Sequence, residues 1–313
     1  MRNSTHSMFL VLLTACILSL GSTPAVHAST GNNVLVGVYA LDVGQIDLRT
    51  GSYTMDFYLS MRCATVGCNI GPFDFMNGAA SSLELEENTT SEKVWRVQAD
   101  LYENLDLHQY PFDSHALTIQ IESQSLTKEN LTYLPDPRYS GIDSTIVVVG
   151  WSISGWSQSV VDHYYQVYNQ TYSRYIFSLN LSREPTSAIQ LFIPVILLTF
   201  IALLAMFMYG DVSSVFENRI LLTASLLVAA VLLQLGLDSS LPPLGYLTFA
   251  DWILIATYLV LGAGLVSSIT ILHYHHQKNS GMIKKIHHHS VRLVPLLAIA
   301  VYLLVFLLLL WPL

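Results

Sequence analysis

The chain is poor in charge and in cysteine. Lys, Arg, Asp and Glu make up 12% of its 313 residues, and only three residues are Cys. The 14 basic residues are outnumbered by 22 acidic ones, and the net charge of −8 argues against binding to nucleic acid. No Ser/His/Asp, Cys/His or metal-ligand constellation emerges from the N-terminal half. We therefore expect no enzyme activity, no cofactor and no bound metal.

Residues 29–187 lack helical periodicity over three turns. Apolar and polar residues alternate there in short runs, which is typical of half-buried strands. The predicted strands are 34–41, 53–61, 94–101, 116–121, 145–151 and 175–181. Turn residues separate them at 50–52, 77–78 and 135–137. The pattern predicts an all-β domain, an antiparallel sandwich of about 150 residues.

The C-terminal 125 or so residues contain four long apolar runs. They cover 189–209, 220–237, 252–272 and 291–313. Each has about 18 to 23 residues, enough for a helix to cross roughly 30 Å of hydrocarbon. Backbone in lipid must satisfy its own hydrogen bonds, so these runs are predicted as helices. Residues 188–313 should therefore form an all-α, four-helix transmembrane domain that follows the sandwich.

A shorter apolar run, 8–20, opens the chain behind Arg2. Small residues follow it and end in Val26-His27-Ala28, which predicts a signal peptide over 1–28. A fifth membrane anchor and a lipoprotein signal ending at Cys16 are the alternatives. Cleavage after Ala28 would leave Cys63 and Cys68 as the remaining thiols. Outside the cytoplasm, two thiols separated by four residues are expected to form a disulfide.

Charges in the connections between spans predict the orientation. The connection 273–290 holds Lys278, Lys284 and Lys285, whereas 238–251 holds no Lys or Arg. Positive loops remain in the cytoplasm, so 273–290 is predicted to be cytoplasmic. With four spans, the N-terminal domain and the C-terminus then both lie outside a cell membrane, as the signal peptide also requires.

Residues 107–115 resemble a loop at the base of the extracellular domain in pentameric ligand-gated ion channels, the Cys-loop receptor superfamily. The shared core is aromatic-Pro-Phe-Asp, at 110–113. Residues 56–62 resemble the second strand of that family and 73–77 its first ligand-binding loop. Arg183 precedes the first span, Pro194 lies early in it, and 241–249 resembles the link between the second and third helices. The similarity runs in order over roughly residues 33–312.

The chain departs from animal members of that family. Glu103 and Leu117 stand where those members carry two bridging cysteines, and Cys63–Cys68 is not that signature pair. This resembles the prokaryotic branch, which lacks the bridge and has a short cytoplasmic connection. The resemblance implies an immunoglobulin-like extracellular sandwich, a homopentamer, and a channel opened by a small extracellular molecule or by protons. Permeating cations, membrane lipid and other copies of the chain are the further partners.

The second span carries a stripe on one helical face. Its members step by four and three residues: Leu221, Ser225, Val228, Leu232, Leu235 and Ser239. Such a face on one helix ordinarily packs against a neighbour, but five copies around an axis would form a pore closed by apolar rings. The resemblance places pore-lining residues here and a cation-selectivity position at Glu217. Acidic rings of Glu217 and Asp238 would attract cations, while Arg219 could pair with Glu217 or face lipid headgroups.

Charges at the boundary of the two domains predict a coupling device. Asp113 and Arg183 are expected to form a charge-assisted pair, although Asp113 could instead cap a tight turn. In the family, this pair couples the sandwich to the linker between the second and third spans. Pro111 and Pro242 belong to the two segments that meet there. Asp47, with its neighbour Leu48, is expected to touch the same linker.

The resemblance also implies a ligand site between neighbouring sandwiches, where exposed rings could form a cation-binding box. Strand packing is the alternative explanation for these rings. The first wall would hold Phe75, Tyr139, Tyr165, Tyr168 and Tyr172. The wall from the neighbour would hold Tyr58, Arg62 and Trp95. Four of the tyrosines, at 164, 165, 168 and 172, surround a predicted polar loop at 167–173.

Two other functions compete with a channel. A non-conducting receptor of the same fold is favoured by the apolar Leu221 and by the wholly apolar central rings of the stripe. A transporter with a metal-binding, His-rich loop at 273–289 is less favoured, because no span carries a pair of buried ionisable residues. His108, His115 and His163 could respond to protons near neutral pH, but their spacing singles out none of them.

Overall fold

The computed structural model of this chain describes residues 32–65, 68–210 and 213–310. The predicted signal peptide at 1–28, its two alternatives and the last residues of the fourth span lie outside the described residues. Within the described ranges, ten strands precede four helices. The predicted order of an all-β domain followed by an all-α domain is therefore confirmed.

The ten strands form two sheets. They are β1 (Asn32–Val43), β2 (Ser52–Cys63), β3 (Phe73–Phe75), β4 (Gly78–Asn88), β5 (Glu92–Tyr102), β6 (Ser114–Ser123), β7 (Leu131–Pro135), β8 (Gly141–Ile142), β9 (Trp151–Tyr165) and β10 (Gln170–Arg183). One sheet has the order β4-β5-β2-β1-β7, with β8 also paired to β1, and the other has β3-β6-β10-β9. Along β10, every second side chain is buried, as expected for a strand that covers a core with one face.

Two strand predictions need correction. Residues 145–151 are not a strand, apart from Trp151 at the start of β9. Thr145 donates its amide and hydroxyl to the Asp143 carboxylate, so local turn bonds replace a ladder there. The predicted loop 167–173 is also too long, because β9 ends at Tyr165 and β10 begins at Gln170. Tyr165 and Tyr172 therefore lie in strands.

The four helices are α1 (Pro185–Ala205), α2 (Ser213–Ser240), α3 (Phe249–His276) and α4 (Ser280–Leu310). By length and composition, each can cross a membrane, which supports a multi-pass membrane protein. Pro185 occupies the first turn of α1, where a missing amide hydrogen is harmless. Thr248 and Asp251 form a reciprocal capping box at the start of α3.

The prediction of a loop over 273–290 is wrong. Helix α3 continues to His276 and α4 begins at Ser280, so only three residues separate them. The histidines and lysines of this segment lie on the ends of the two helices. Polar residues can continue a helix beyond its apolar run. Hydropathy marks only the apolar part of a helix, so it made both helices too short at this connection.

The two domains share one hydrophobic core. Buried strand residues such as Phe57 and Leu179 belong to the same cluster as Val195 of α1, Leu237 of α2 and Leu254 of α3. The base of the sandwich therefore rests directly on the nearest ends of three helices. This continuity positions the polar contacts of the boundary.

Candidate functional site

Asp113 and Arg183 meet at the base of the sandwich. Arg183 Nε lies 2.7 Å from Asp113 Oδ1, and its Nη2 lies 2.9 Å from Oδ2. The Arg183 amide also donates to the Asp113 carbonyl, at 3.0 Å. The Asp113 side chain is only 1% exposed, and the Arg183 side chain is 12% exposed. Two parallel charge-assisted bonds in a dry setting hold β10, just before α1, to the loop that precedes β6.

His115 is a third member of this cluster, which the sequence did not reveal. Its Nε2 lies 2.6 Å from Asp113 Oδ2. Burial by itself raises the pKa of Asp113, but hydrogen bonds from Arg183 and His115 and the charge of Arg183 outweigh burial and hold this pKa at about 2. Among the described residues, the Asp113 carboxylate bonds to these two side chains and not to an amide of its own turn. Asp113 directly precedes β6, and extended backbone over residues 113–115 places side chains two positions apart on one face, which could have indicated this pairing.

The loop 107–113 docks on the linker 241–248 and on the start of α3. The amides of Phe249 and Ala250 donate to the carbonyls of His108 and Tyr110, at 2.9 and 3.1 Å. These bonds satisfy donors that the first turn of a helix leaves open. The Leu107 amide donates to the hydroxyl oxygen of Tyr246, at 3.0 Å. Two backbone bonds to α3 and one bond to the Tyr246 side chain thus tie the sandwich to α3 and to the link that precedes it.

Apolar contacts support the same junction. Phe112 packs against Phe192 of α1 and Phe249 of α3, with ring centroids 5.9 and 5.8 Å apart. Pro111 is buried and Pro242 is half-buried in the linker. The guanidinium of Arg183 lies 4.2 Å from the centroid of the Trp151 ring. The pair of Asp113 and Arg183 is therefore enclosed by rings on several sides.

Asp47 bonds within its own turn, and its contact with the linker 241–248 stays a prediction. Its exposed carboxylate accepts hydrogen bonds from the Arg49 amide and the Thr50 hydroxyl, both at 2.8 Å. These bonds, the Thr50 hydroxyl first, lower the pKa of Asp47. An Asp two residues before a turn amide commonly bonds within its own turn. Leu48, its neighbour, is half-buried and packs against the shared core.

Helix α2 has two different faces. One is buried against the other helices through Phe216, Arg219, Thr223, Leu226, Ala230 and Leu237. The opposite face is exposed and carries every residue that was predicted to line a pore or to select ions: Glu217, Leu221, Ser225, Val228, Leu232, Leu235, Asp238 and Ser239. Leu232 is 62% exposed. An apolar face of this length has no partner within the described part of a single chain.

Both expectations for Arg219 are wrong. Its side chain is fully buried and donates to the Met206 carbonyl, at 3.3 Å, and to the Ser267 hydroxyl, at 2.9 Å. It neither pairs with Glu217 nor faces lipid headgroups. Two residues along an α-helix are about 200° apart, so Glu217 and Arg219 point to opposite sides of α2. The exposed face therefore keeps the acid without the base.

The predicted aromatic box is only partly assembled in one chain. The rings of Tyr165 and Tyr172 are in contact, with centroids 5.5 Å apart. The Tyr165 hydroxyl donates to buried Glu122, at 2.9 Å, and Arg174 Nε donates to the same carboxylate, at 2.6 Å. Sequence reasoning missed Glu122 and Arg174, because their pairing joins two strands that are distant in the chain. Tyr168 is exposed at the turn between β9 and β10.

Tyr139 and Arg62 were assigned to opposite walls, and the structure contradicts this. The guanidinium of Arg62 lies 4.1 Å from the ring centroid of Tyr139 in the same chain, and it pairs with buried Asp136. Separately, Phe73 packs against both Phe75 and Trp95, with centroids 5.7 and 5.1 Å apart. Tyr58 is half-buried on β2. Tyr139 thus belongs with the group that contains Arg62.

Cys63 and Cys68 lie as a pair at the end of β2, with their Cα atoms 5.6 Å apart. They flank the short undescribed segment 66–67. Among the described residues, no group of three or more His, Cys, Asp or Glu side chains is placed to hold a metal ion.

Comparison with known proteins supplies two relatives, while no family model matches the chain. The proton-gated ion channel of Gloeobacter violaceus is 24% identical over 193 residues, 61% of this chain and 52% of that protein. The acetylcholine receptor subunit alpha-type des-2 of Caenorhabditis elegans is 24% identical over 170 residues, 54% of this chain and 31% of that protein. The matched region thus spans about half of the first relative and a third of the second. These relatives confirm the resemblance to pentameric ligand-gated ion channels.

Proposed function

We propose that this chain is the subunit of a homopentameric, cation-selective ion channel that a small extracellular ligand or protons open. The exposed apolar face of α2 is the observation that carries the proposal. Five copies around an axis would turn that face into the wall of a pore, with Leu232 and its apolar neighbours as rings that expel water. The two relatives, named as a proton-gated ion channel and an acetylcholine receptor subunit, support an ion channel rather than an enzyme.

Cation selectivity is supported by the charges of α2. Glu217 and Asp238 stand at the two ends of the exposed face, while Arg219 is turned into the bundle. Rings of carboxylates at both mouths would raise the local concentration of cations. The buried position of Arg219 turns its guanidinium toward Met206 and Ser267, away from the exposed face that carries Glu217.

The proposed topology follows the loop charges. Residues 1–28 would be the signal peptide, 29–187 the extracellular domain and 188–313 the membrane domain, with the C-terminus outside. The short connection between α3 and α4, with its Lys and His residues, would face the cytoplasm. In this oxidising exterior, Cys63 and Cys68 would form a disulfide. Membrane lipid would cover the outward faces of the helices.

The proposed ligand site lies between two subunits. Tyr165, Tyr168 and Tyr172, with Phe75, would come from one subunit. Tyr58, Arg62 and Trp95 would come from its neighbour, now together with Tyr139. Glu122 beneath Tyr165 is already paired with Arg174, so the faces of the rings would be what attracts a positively charged ligand.

A non-conducting receptor of the same fold is the second candidate. Leu221 favours it, because this residue is exposed and apolar at the end of α2 where Glu217 would form the inner mouth. A permanently dry ring at that position would block ions without changing the fold.

Current through the purified chain in planar bilayers tests the proposal. A sodium chloride gradient would be applied, followed by a step in pH and a panel of small amines and amino acids. We expect an evoked current that reverses near the sodium potential. Reversal near the chloride potential would retain a channel and overturn cation selectivity. Silence of both the wild type and Leu232→Ala would favour the receptor.

Glu217→Gln should reduce cation selectivity several-fold, because the variant keeps the size of the side chain and removes the inner ring of charge. The measurement is the reversal potential in the same gradient. Glu86→Gln is the matched control, since Glu86 is an exposed acid on β4, in the other domain from the helices. An unchanged reversal potential in Glu217→Gln would assign selectivity to Asp238 or to the outer domain.

A further inference from the structure

One histidine lies in the loop that docks on the membrane domain and a second follows it, and each lies beside an aspartate. His108 Nδ1 is 2.6 Å from Asp106 Oδ1, and His115 Nε2 is 2.6 Å from Asp113 Oδ2. Their accessibility differs sharply, because the side chain of His108 is 57% exposed and that of His115 is 5% exposed. Only His108 can therefore exchange a proton with water without a rearrangement of the junction.

His108 also touches the linker between α2 and α3 directly. Its ring lies parallel to that of Tyr246, with the centroids 3.6 Å apart and an angle of 6° between the planes. Tyr246 is fixed by the Leu107 amide, and the His108 carbonyl accepts from the Phe249 amide. The stacked pair thus joins the base of the sandwich to the segment that follows the proposed pore helix.

The hydrogen bonds define where a proton would add. A carboxylate only accepts, so the neutral ring donates from Nδ1 to Asp106 and leaves Nε2 to take the second proton. Bonds from the His108 amide and then its ring lower the pKa of Asp106, which keeps this acid ionised in mildly acidic solution. An imidazolium would be attracted both to that carboxylate and to the face of Tyr246.

On α3, which bonds to the His108 carbonyl, Asp251 is the acid of the first turn and accepts hydrogen bonds from Thr248. The linker 241–248 contains no Asp, Glu, Lys, Arg or His, so Tyr246 is its only titratable contact with the ring. Directly before the loop, Asp106 is the facing charge, and the more distant His115 acts on Asp106. Above the loop, Arg183 is already neutralised by Asp113.

We propose that His108 is a proton-binding site through which extracellular acid acts on the linker between α2 and α3. Proton uptake strengthens the stack of His108 on Tyr246 and stabilises the docked linker, which shifts the equilibrium between closed and open channels. This inference rests on the proposed channel and names protons as its stimulus. His163 does not fit the same role, since it lies beside Glu122 on the far part of the sandwich.

Currents after steps from pH 8 to pH 5.5 test the site. The side chain of His108→Gln can still donate to Asp106 but cannot become charged. We expect His108→Gln and Tyr246→Leu each to lose most of the acid response, and His163→Gln to keep it. A His108→Gln channel with the wild-type pH midpoint and amplitude would overturn the inference.

Leu232→Ala separates this inference from the channel proposal. If that variant conducts and acid has no effect on any channel with His108 intact, the inference fails and the channel stands. If nothing conducts, the channel proposal fails, and thermal unfolding of the purified full chain still tests the contact. In a double-mutant cycle of His108→Gln and Tyr246→Leu, the coupling is the part of the change in unfolding midpoint that the two single variants do not add up to. We expect this coupling to be at least twofold larger at pH 5.5 than at pH 8. Equal coupling at both pH values would overturn proton binding there.

Discussion

Asp113→Asn should abolish most of the response to an agonist or to acid while the protein still reaches the membrane. Arg183 would keep at most one acceptor and would lose its counter-charge in a nearly dry junction. Breaking a buried pair by removing one partner typically costs about 3–5 kcal/mol. The pair holds β10, just before α1, to the docking loop, so its loss weakens the coupling of the sandwich to the helices. The measurements are evoked current and the thermal unfolding midpoint of the purified chain.

Asp56→Asn is the matched control for this experiment. Asp56 pairs with Arg96 at 2.9 Å on the surface of the sandwich, where both side chains are in contact with water. Exposed pairs are screened by water and contribute little to stability, so the control should retain its response and its midpoint. A wild-type response in Asp113→Asn would contradict the coupling role. An equal loss of response in the control would show that the assay reports general instability of the sandwich.

The same junction limits which groups can sense mild acid. The pKa of Asp113 is depressed to about 2 from its ordinary value of 3.8. A carboxyl group whose pKa is lowered on folding stabilises the folded state at pH values above its pKa in the unfolded chain. That stabilisation is lost only as the pH falls toward 2. Between pH 8 and pH 5.5, Asp113 therefore stays ionised. An acid response in this window must come from other groups, and His108 is the exposed candidate at the junction.

The architecture could be predicted because its signals are local. The alternation of apolar and polar residues along β10 indicates a strand with one buried face, and the long apolar runs indicate helices, without reference to the rest of the chain. Strand β4 was missed, since most of its residues are exposed and several are glutamates. The run 145–149 was misassigned, because β-branched residues favour a strand only where a neighbouring strand can pair with them.

The site could be predicted only where the resemblance named both partners. Asp113 and Arg183 were named because each stands in a recognisable segment. Pairs such as Glu122 with Arg174 depend on which strands become neighbours, and a sequence without that topology does not specify them. The direction of Arg219 was likewise decided by packing, since its charge alone favoured water or Glu217.

Leu232→Ala should give a standing leak without a stimulus. In the proposed pore, five Leu232 side chains form the main apolar ring, and smaller methyl groups would let water and ions remain in the constriction. Leu232 is 62% exposed in one chain, so its truncation removes little packing within the subunit. The measurement is unstimulated current in planar bilayers, with the reversal potential as a check that the leak keeps the selectivity of the wild type.

Leu226→Ala provides the opposite pattern on the same helix. Leu226 is 7% exposed and packs with Ala202 of α1 and Leu261 of α3. A buried Leu→Ala change costs about 2–5 kcal/mol, so this variant should lower the unfolding midpoint without a standing leak. A destabilised Leu226→Ala together with a sealed Leu232→Ala would contradict the pore. The exposed face of α2 would then be covered by protein rather than by the water of a pore. An apolar face is removed from water by a covering protein partner as well as by a ring of copies. The non-conducting receptor would therefore be the better explanation.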